Sequence, residues 1–158
     1  RSNVEEDQEI ADALPVKPGE NVRYFVMKSL SHDNLAQSVR EGRWRTRRLA
    51  ATRMNESFAV CDQVIVVFSV NESRRVSQPH FQGCARMTTP TNRDARAGGA
   101  DLWDAVFGVG WLRLCELPFR NVGHLKNPLN EDLPVLRSRD GQELVPDIGR
   151  RLLMHLYR

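Results

Sequence analysis

Residues 41–50 read EGRWRTRRLA, and with Arg40 they set Trp44 among five arginines. Two roles suit such a ring: an apolar anchor that lies beside a solvated charge run, or a stacking platform for a flat, anionic ligand. Arginine's planar fork grips phosphate with two bonds and stacks on bases, where lysine is a mobile point charge. The chain holds twenty arginines against three lysines, a bias that GC-rich codon usage would also produce. Of the other tryptophans, Trp111 lies inside an apolar strand and reads as core, whereas Trp103 follows a loop, where binding residues tend to sit.

Most other chemistry is missing. There is no GxxxxGK[ST], HExxH, GxSxG or GxGxxG pattern. Cys61, Cys84 and Cys115 are odd in number, far apart, and form no ligand cluster with His32, His80, His124 or His155. Neither a zinc site nor a disulfide framework is indicated, so no metal or cofactor is expected, and the cysteines suit a reducing compartment. No membrane span or signal-peptide core is visible in the sequence. A net charge of +3 is too modest to prove an anionic partner. The expectation at this point is a soluble domain without a recognisable catalytic motif. Its abrupt ends at Arg1 and Arg158 suggest a piece of a longer chain.

The elements that must position Trp44 follow from periodicity. Residues 1–21 are acidic and then rich in turn formers, which reads as a short helix and a linker outside the core. VRYFVMKSL reads as a first buried strand, and SHDNLAQSVREG as a helix capped by Ser31, with Leu35 and Val39 a turn apart and Gly42 at the stop. A second helix is expected at about 53–60. QVIVVFSV is short and β-branched, hence a central strand. NESRRVSQPH reads as a hairpin connection, FQGCARM as the returning strand, and 88–101 as a loop. VFGVGWLRLCELPF is a long strand whose Gly108 and Gly110 admit a close neighbour. SRDGQEL is a turn, and a last helix starts near Pro146 with Ile148, Leu152, Leu153 and Leu156 inward. Without a regular strand–helix repeat, the fold class is α+β: a curved mixed sheet or barrel flanked by helices.

From residue 23 to about 156 the order of motifs resembles a YTH domain. RYFVMKSLSHDNLAQSVREGRWRT is followed by VIVVFSVNES, FQGCARM, VGWLRLCELPF, LKNPLNEDLPV and SRDGQEL. FQGCARM and WLRLCEL are closest in wording to the YTH domains joined to the zinc-finger subunit of the cleavage and polyadenylation specificity factor. The resemblance implies a YTH-like domain over 22–158, preceded by an extension. It also implies a reader that holds N6-methyladenosine of single-stranded RNA in an aromatic cage without acting on it, in nuclear 3′-end processing alongside the cleavage and polyadenylation machinery.

Carried over residue by residue, Trp44 matches one cage wall and Trp103 a more variable one. Asn34 falls where the family bonds a purine nitrogen, and Arg45 where a main-chain carbonyl accepts the N6 hydrogen. Lys28 and Ser29 match residues lining the site, and Arg139 and Asp140 a turn that contacts the strand. For Lys28, Arg139 and Asp140 an ordinary surface pair or turn is the alternative. One departure stands out: relatives carry another tryptophan wall before the Trp103 position, and residues 88–102 contain no aromatic. Either part of a loop is missing from the chain, or another residue covers that face, or the cage is incomplete. The last would leave an RNA-binding module indifferent to methylation. An enzyme with dispersed residues and a protein-interaction domain with tryptophan hot spots are the remaining alternatives.

Overall fold

The computed structural model describes residues 3–29, 31–70, 79–93 and 104–158. Helix α1 (Asn3–Ala13) precedes strand β1 (Val22–Ser29), helix α2 (His32–Glu41), strand β2 (Arg43–Arg47) and helix α3 (Arg48–Val60). Strands β3 (Gln63–Val70), β4 (His80–Met87), β5 (Asn92–Arg93) and β6 (Asp104–Pro118) follow. The small β7–β8 pair (Lys126–Asn127, Leu133–Pro134), β9 (Gln142–Leu144) and helix α4 (Pro146–Leu156) complete the chain.

The β-branched run of β3 lies mid-sheet, in the order β2-β6-β4-β3-β1-β9, with β5 also paired to β6. β1 runs parallel to β3 (Val22 opposite Gln63), and β4, antiparallel to β3, passes the sheet on to β6. Register shifts at Phe68/Ser69, Phe81/Gly83 and Cys84/Ala85 add twist, and the sheet curls into a mixed half-barrel. At one of these bulges Gly83 has φ 139, and a Cβ there would meet the Arg113 carbonyl oxygen at 2.0 Å. Only glycine fits.

Strand alternation gives the sheet two cores. Tyr24, Val26, Ile65 and Val67 face α4, meeting Ile148, Leu152, Leu153 and Leu156. Phe25, Met27, Val66 and Phe68 face the other way, with Leu35 of α2 and Met54 of α3 in the same cluster. A sheet covered on both faces explains why its central strands read as unbroken apolar runs.

The α+β expectation and the order of elements hold, with local corrections. Residues 43–47, to which periodicity assigned no element, form an edge strand: they are alternately exposed and buried, so the three arginines share one face and Trp44 and Thr46 the other. α3 starts at Arg48, five residues before the expected helix, and no side chain caps its start, so nothing in the residue types marks that N-terminus. In α2 the inward partner of Leu35 is Ser38, while Val39 is 40% exposed. Residues 1–21 do contain a helix, but the segment after it is not outside the core: Leu14 and Val16 are buried against the α4 cluster. A Cβ at Gly108 would lie 2.5 Å from the Thr88 hydroxyl, the close approach expected for that glycine. The hairpin connection at 71–78 lies outside the described residues.

Candidate nucleic-acid interface

β1, α2, β2 and the turn before β9 enclose a cleft of about 580 Å³. α2 contributes Asn34, Gln37, Ser38 and Glu41, whose spacing sets them along one helix face. The helix is fixed at both ends. At its start, the Ser31 hydroxyl accepts the Asn34 N–H at 3.2 Å, and the buried Ser29 hydroxyl donates to the Ser31 carbonyl at 2.6 Å. At its end Gly42, left-handed at φ 68, donates to the Ser38 carbonyl at 2.8 Å, and its own carbonyl accepts the Val109 N–H at 2.9 Å. The Trp111 indole N–H ties the helix middle to the sheet by donating to Ser38 Oγ at 3.2 Å.

Trp44 is 8% exposed, lines the cleft and belongs to the core. Its ring stands edge-on to Phe68 (4.8 Å between centroids, 72°), and Phe68 stacks on Trp111 at 4.5 Å and 28°. The ring is thus an anchor and a cleft wall at once. Thr46 Oγ1 contacts Met27 Sδ at 3.8 Å and holds the next inward residue of β2. The exposed Arg43, Arg45 and Arg47 border the cleft, and Arg43 pairs with Glu41 at 3.3 Å.

Opposite α2, Asp140 Oδ1 accepts the Lys28 N–H at 2.8 Å, and the Gly141 N–H donates to the Val26 carbonyl at 2.8 Å, which fastens the turn to β1. Burial raises the Asp140 pKa above the ordinary aspartate value, against the Lys28 bond and the Arg47 and Lys28 charges, which lower it.

Of the expected residues, Lys28, Ser29, Asn34, Trp44, Arg45 and Asp140 meet in this one cleft. Arg139 is exposed beside it without lining it, and Trp103 lies outside the described residues. No protein group among the described residues takes the Asn34 side-chain amide. Among the same residues no three His, Cys, Asp or Glu side chains are grouped to hold a metal ion. Burial pushes the Cys84 thiol up to about 12, which makes it a poor nucleophile near neutral pH.

The YT521-B-like domain, YTH, matches residues 22–157. The chain belongs to the YTH domain family. It is 42% identical over 157 residues to 30-kDa cleavage and polyadenylation specificity factor 30 of Arabidopsis thaliana, covering 96% of this chain and 24% of that protein. It is 34% identical to YTH domain-containing protein 1 of Drosophila melanogaster, over 84% of this chain and 19% of that protein. The chain therefore spans no more than about a quarter of these curated relatives. Among solved structures, the Toxoplasma CPSF4 YTH domain in complex with a 7-mer m6A-modified RNA superposes with a TM-score of 0.74 at 32% identity, covering 89% of this chain and 94% of that one.

Several residues of the YTH cleft were missed from sequence: Gln37, Ser38 and Glu41 on α2, Thr46 on β2, and Val106 of β6. A signal for the α2 set was present, since Gln37, Ser38 and Glu41 follow Asn34 at three, four and seven residues. Val106 had none, because it arrives through its pairing with Arg45.

Proposed function

We propose that this YTH domain reads N6-methyladenosine in single-stranded RNA, with Trp44 as a base-stacking wall and Arg43, Arg45 and Arg47 as a phosphate-gripping rim. The carrying observation is the rigid backing of Trp44 by Phe68 and Trp111 at the wall of a cleft edged by arginines. The Toxoplasma relative bound to m6A-modified RNA supports the same reading. Asn34 bonds a purine ring nitrogen, the Arg45 carbonyl accepts the remaining N6 hydrogen, and Lys28, Ser29, Arg139 and Asp140 contact the nucleotide or its strand. Trp103 supplies the variable wall. Burying the methyl group contributes about 0.8 kcal/mol. Unmethylated adenine would in addition strand an amino hydrogen, at a cost of roughly 1–3 kcal/mol. The domain performs no reaction on the RNA. By likeness to the Arabidopsis factor we place it in nuclear mRNA 3′-end processing, alongside the cleavage and polyadenylation machinery.

The test is fluorescence anisotropy with two short RNAs that differ by one N6-methyl group. Wild type binds the methylated RNA tens- to hundreds-fold tighter, Trp44→Ala brings the ratio close to one, and Asn34→Ala weakens both RNAs. Because Trp44 is also core, its removal costs about 3–5 kcal/mol of stability, so folding of that variant is checked first, whereas the exposed Asn34 carries no such burden. Equal wild-type affinity for both RNAs would overturn the proposal in favour of methylation-independent RNA binding, the reading that the missing aromatic at 88–102 favours.

A further inference from the structure

A second pocket, of about 210 Å³, lies on the face of the sheet away from Trp44, between residues 16–20, β1 and the first turn of α4. Its floor is Tyr24, which is 2% exposed. A Cβ at Gly149 would lie 2.2 Å from Tyr24 Cγ, so only glycine lets α4 press on the inner end of the ring, and the hydroxyl end is left to the pocket. Nothing among the described residues takes that hydroxyl. Buried hydroxyls are almost always hydrogen-bonded, so this one is a donor held in reserve. Burial pushes its pKa up to about 12, against the nearby Arg150 charge, and it stays protonated at neutral pH.

Helix α4 supplies further donors. It begins at Pro146 with no side-chain cap, and the Asp147 N–H, in the turn that lines the pocket, has no partner among the described residues. Arg150, one turn on, makes no ion pair among them. Lys17 donates to the Asp12 and Leu14 carbonyls at 3.4 and 3.5 Å, which leaves its charge unneutralised. Two carboxylates also stand at the pocket. Glu20 is taken, accepting the Gln63 amide at 3.0 Å and the Lys17 main-chain N–H, while Asp147 is exposed at the helix start.

We infer that this pocket binds a monocarboxylate on a short aliphatic stem, one oxygen accepting from the Tyr24 hydroxyl and the other from the α4 N-terminus, with Arg150 alongside. Helix N-termini attract anions. Two cations and two carboxylates balance the rim, so a singly charged group can enter where a doubly charged phosphate finds no spare cation. Val16, Val22, Pro18 and Pro146 wall the stem. The volume is several times the roughly 30 Å³ share of a water, room for a residue-sized acid. Free acids and polypeptide C-termini both carry this group. The inference is independent of RNA reading, because none of these residues lines the RNA cleft.

The probes are N-acetylvaline, its amide, inorganic phosphate and a pentapeptide ending in valine, each titrated into the domain by amide NMR. N-acetylvaline shifts the signals of the first α4 turn, and the amide and phosphate do not. Tyr24→Phe and Arg150→Gln each weaken N-acetylvaline by about ten-fold, the scale of a hydrogen bond to a charged group. Because the hydroxyl has no partner in the free protein, Tyr24→Phe melts no lower than wild type. A pentapeptide that binds tighter than N-acetylvaline identifies a polypeptide C-terminus as the source, and one that binds no tighter identifies a free acid. No response to N-acetylvaline, an equal response to its amide or to phosphate, or unchanged affinity in Tyr24→Phe overturns the inference. A markedly lower melting point for Tyr24→Phe overturns it as well, since the hydroxyl would then already be bonded.

Discussion

Asp140 illustrates how a single residue can hold a site together without an ion pair. Its carboxylate accepts a main-chain N–H, that of Lys28, from a position 112 residues away in sequence. Burial holds its folded-state pKa above the ordinary value of 3.8. The linkage follows from that direction: the favourable contribution of the protonated group is fully present below the unfolded value and is lost as pH rises through the folded one. Asp140→Asn keeps an oxygen for the Lys28 N–H and removes the ionisation. The expected outcome in urea denaturation from about pH 3 to 7 is a flatter stability profile, with no destabilisation at neutral pH. Asp140→Ala hands the solvent-accessible N–H to water and costs about 0.5–1.5 kcal/mol. At this scale the arginines around Trp44 were legible because they are neighbours in the chain. The Lys28–Asp140 bond and the Phe68–Trp111 stack were not, since their partners meet only through sheet register.

Among the elements, α2 sets the geometry of the cleft, and its ends were the most readable local feature of the sequence. Ser31 and Gly42 have side-chain and backbone chemistry that predicts a cap and a stop, and both occur as such. Ser31→Ala therefore costs about 1 kcal/mol of stability. It also frees the first turn that carries Asn34, so RNA affinity falls further than the destabilisation would explain, as thermal melts and titrations on the same preparation would establish. Other elements were less legible for physical reasons. Arginine has no strong strand preference, and the pattern Arg-Trp-Arg-Thr-Arg identifies a strand only once its period of two is weighed above its charge. Helical spacing paired Leu35 with Val39, but Ser38 takes the inner position because the Trp111 N–H needs an acceptor there. Pairing between β2 and β6 joins segments about sixty residues apart, and local sequence carries no record of it.

For the whole molecule, a net charge of +3 understates the electrostatics, because the arginines of β2 are gathered on one edge of the sheet. RNA affinity should fall steeply with salt. Arg47→Ala should reduce the slope of log affinity against log salt by about 0.7, the share that each neutralised phosphate of a single strand contributes. The same variant should weaken methylated and plain RNA alike, which a salt series with both would check. The sheet separates this edge from the N-terminal segment. Leu14 and Val16 plug into the α4 core, and Asp7 meets Arg158 at 3.0 Å, all on the face away from Trp44. A mechanical pull on the N-terminus would thus be borne first by α1 and its grip on α4. Tension from a moving neighbour would spend itself on a peripheral peel, and the surface that carries Trp44 would keep its shape under load.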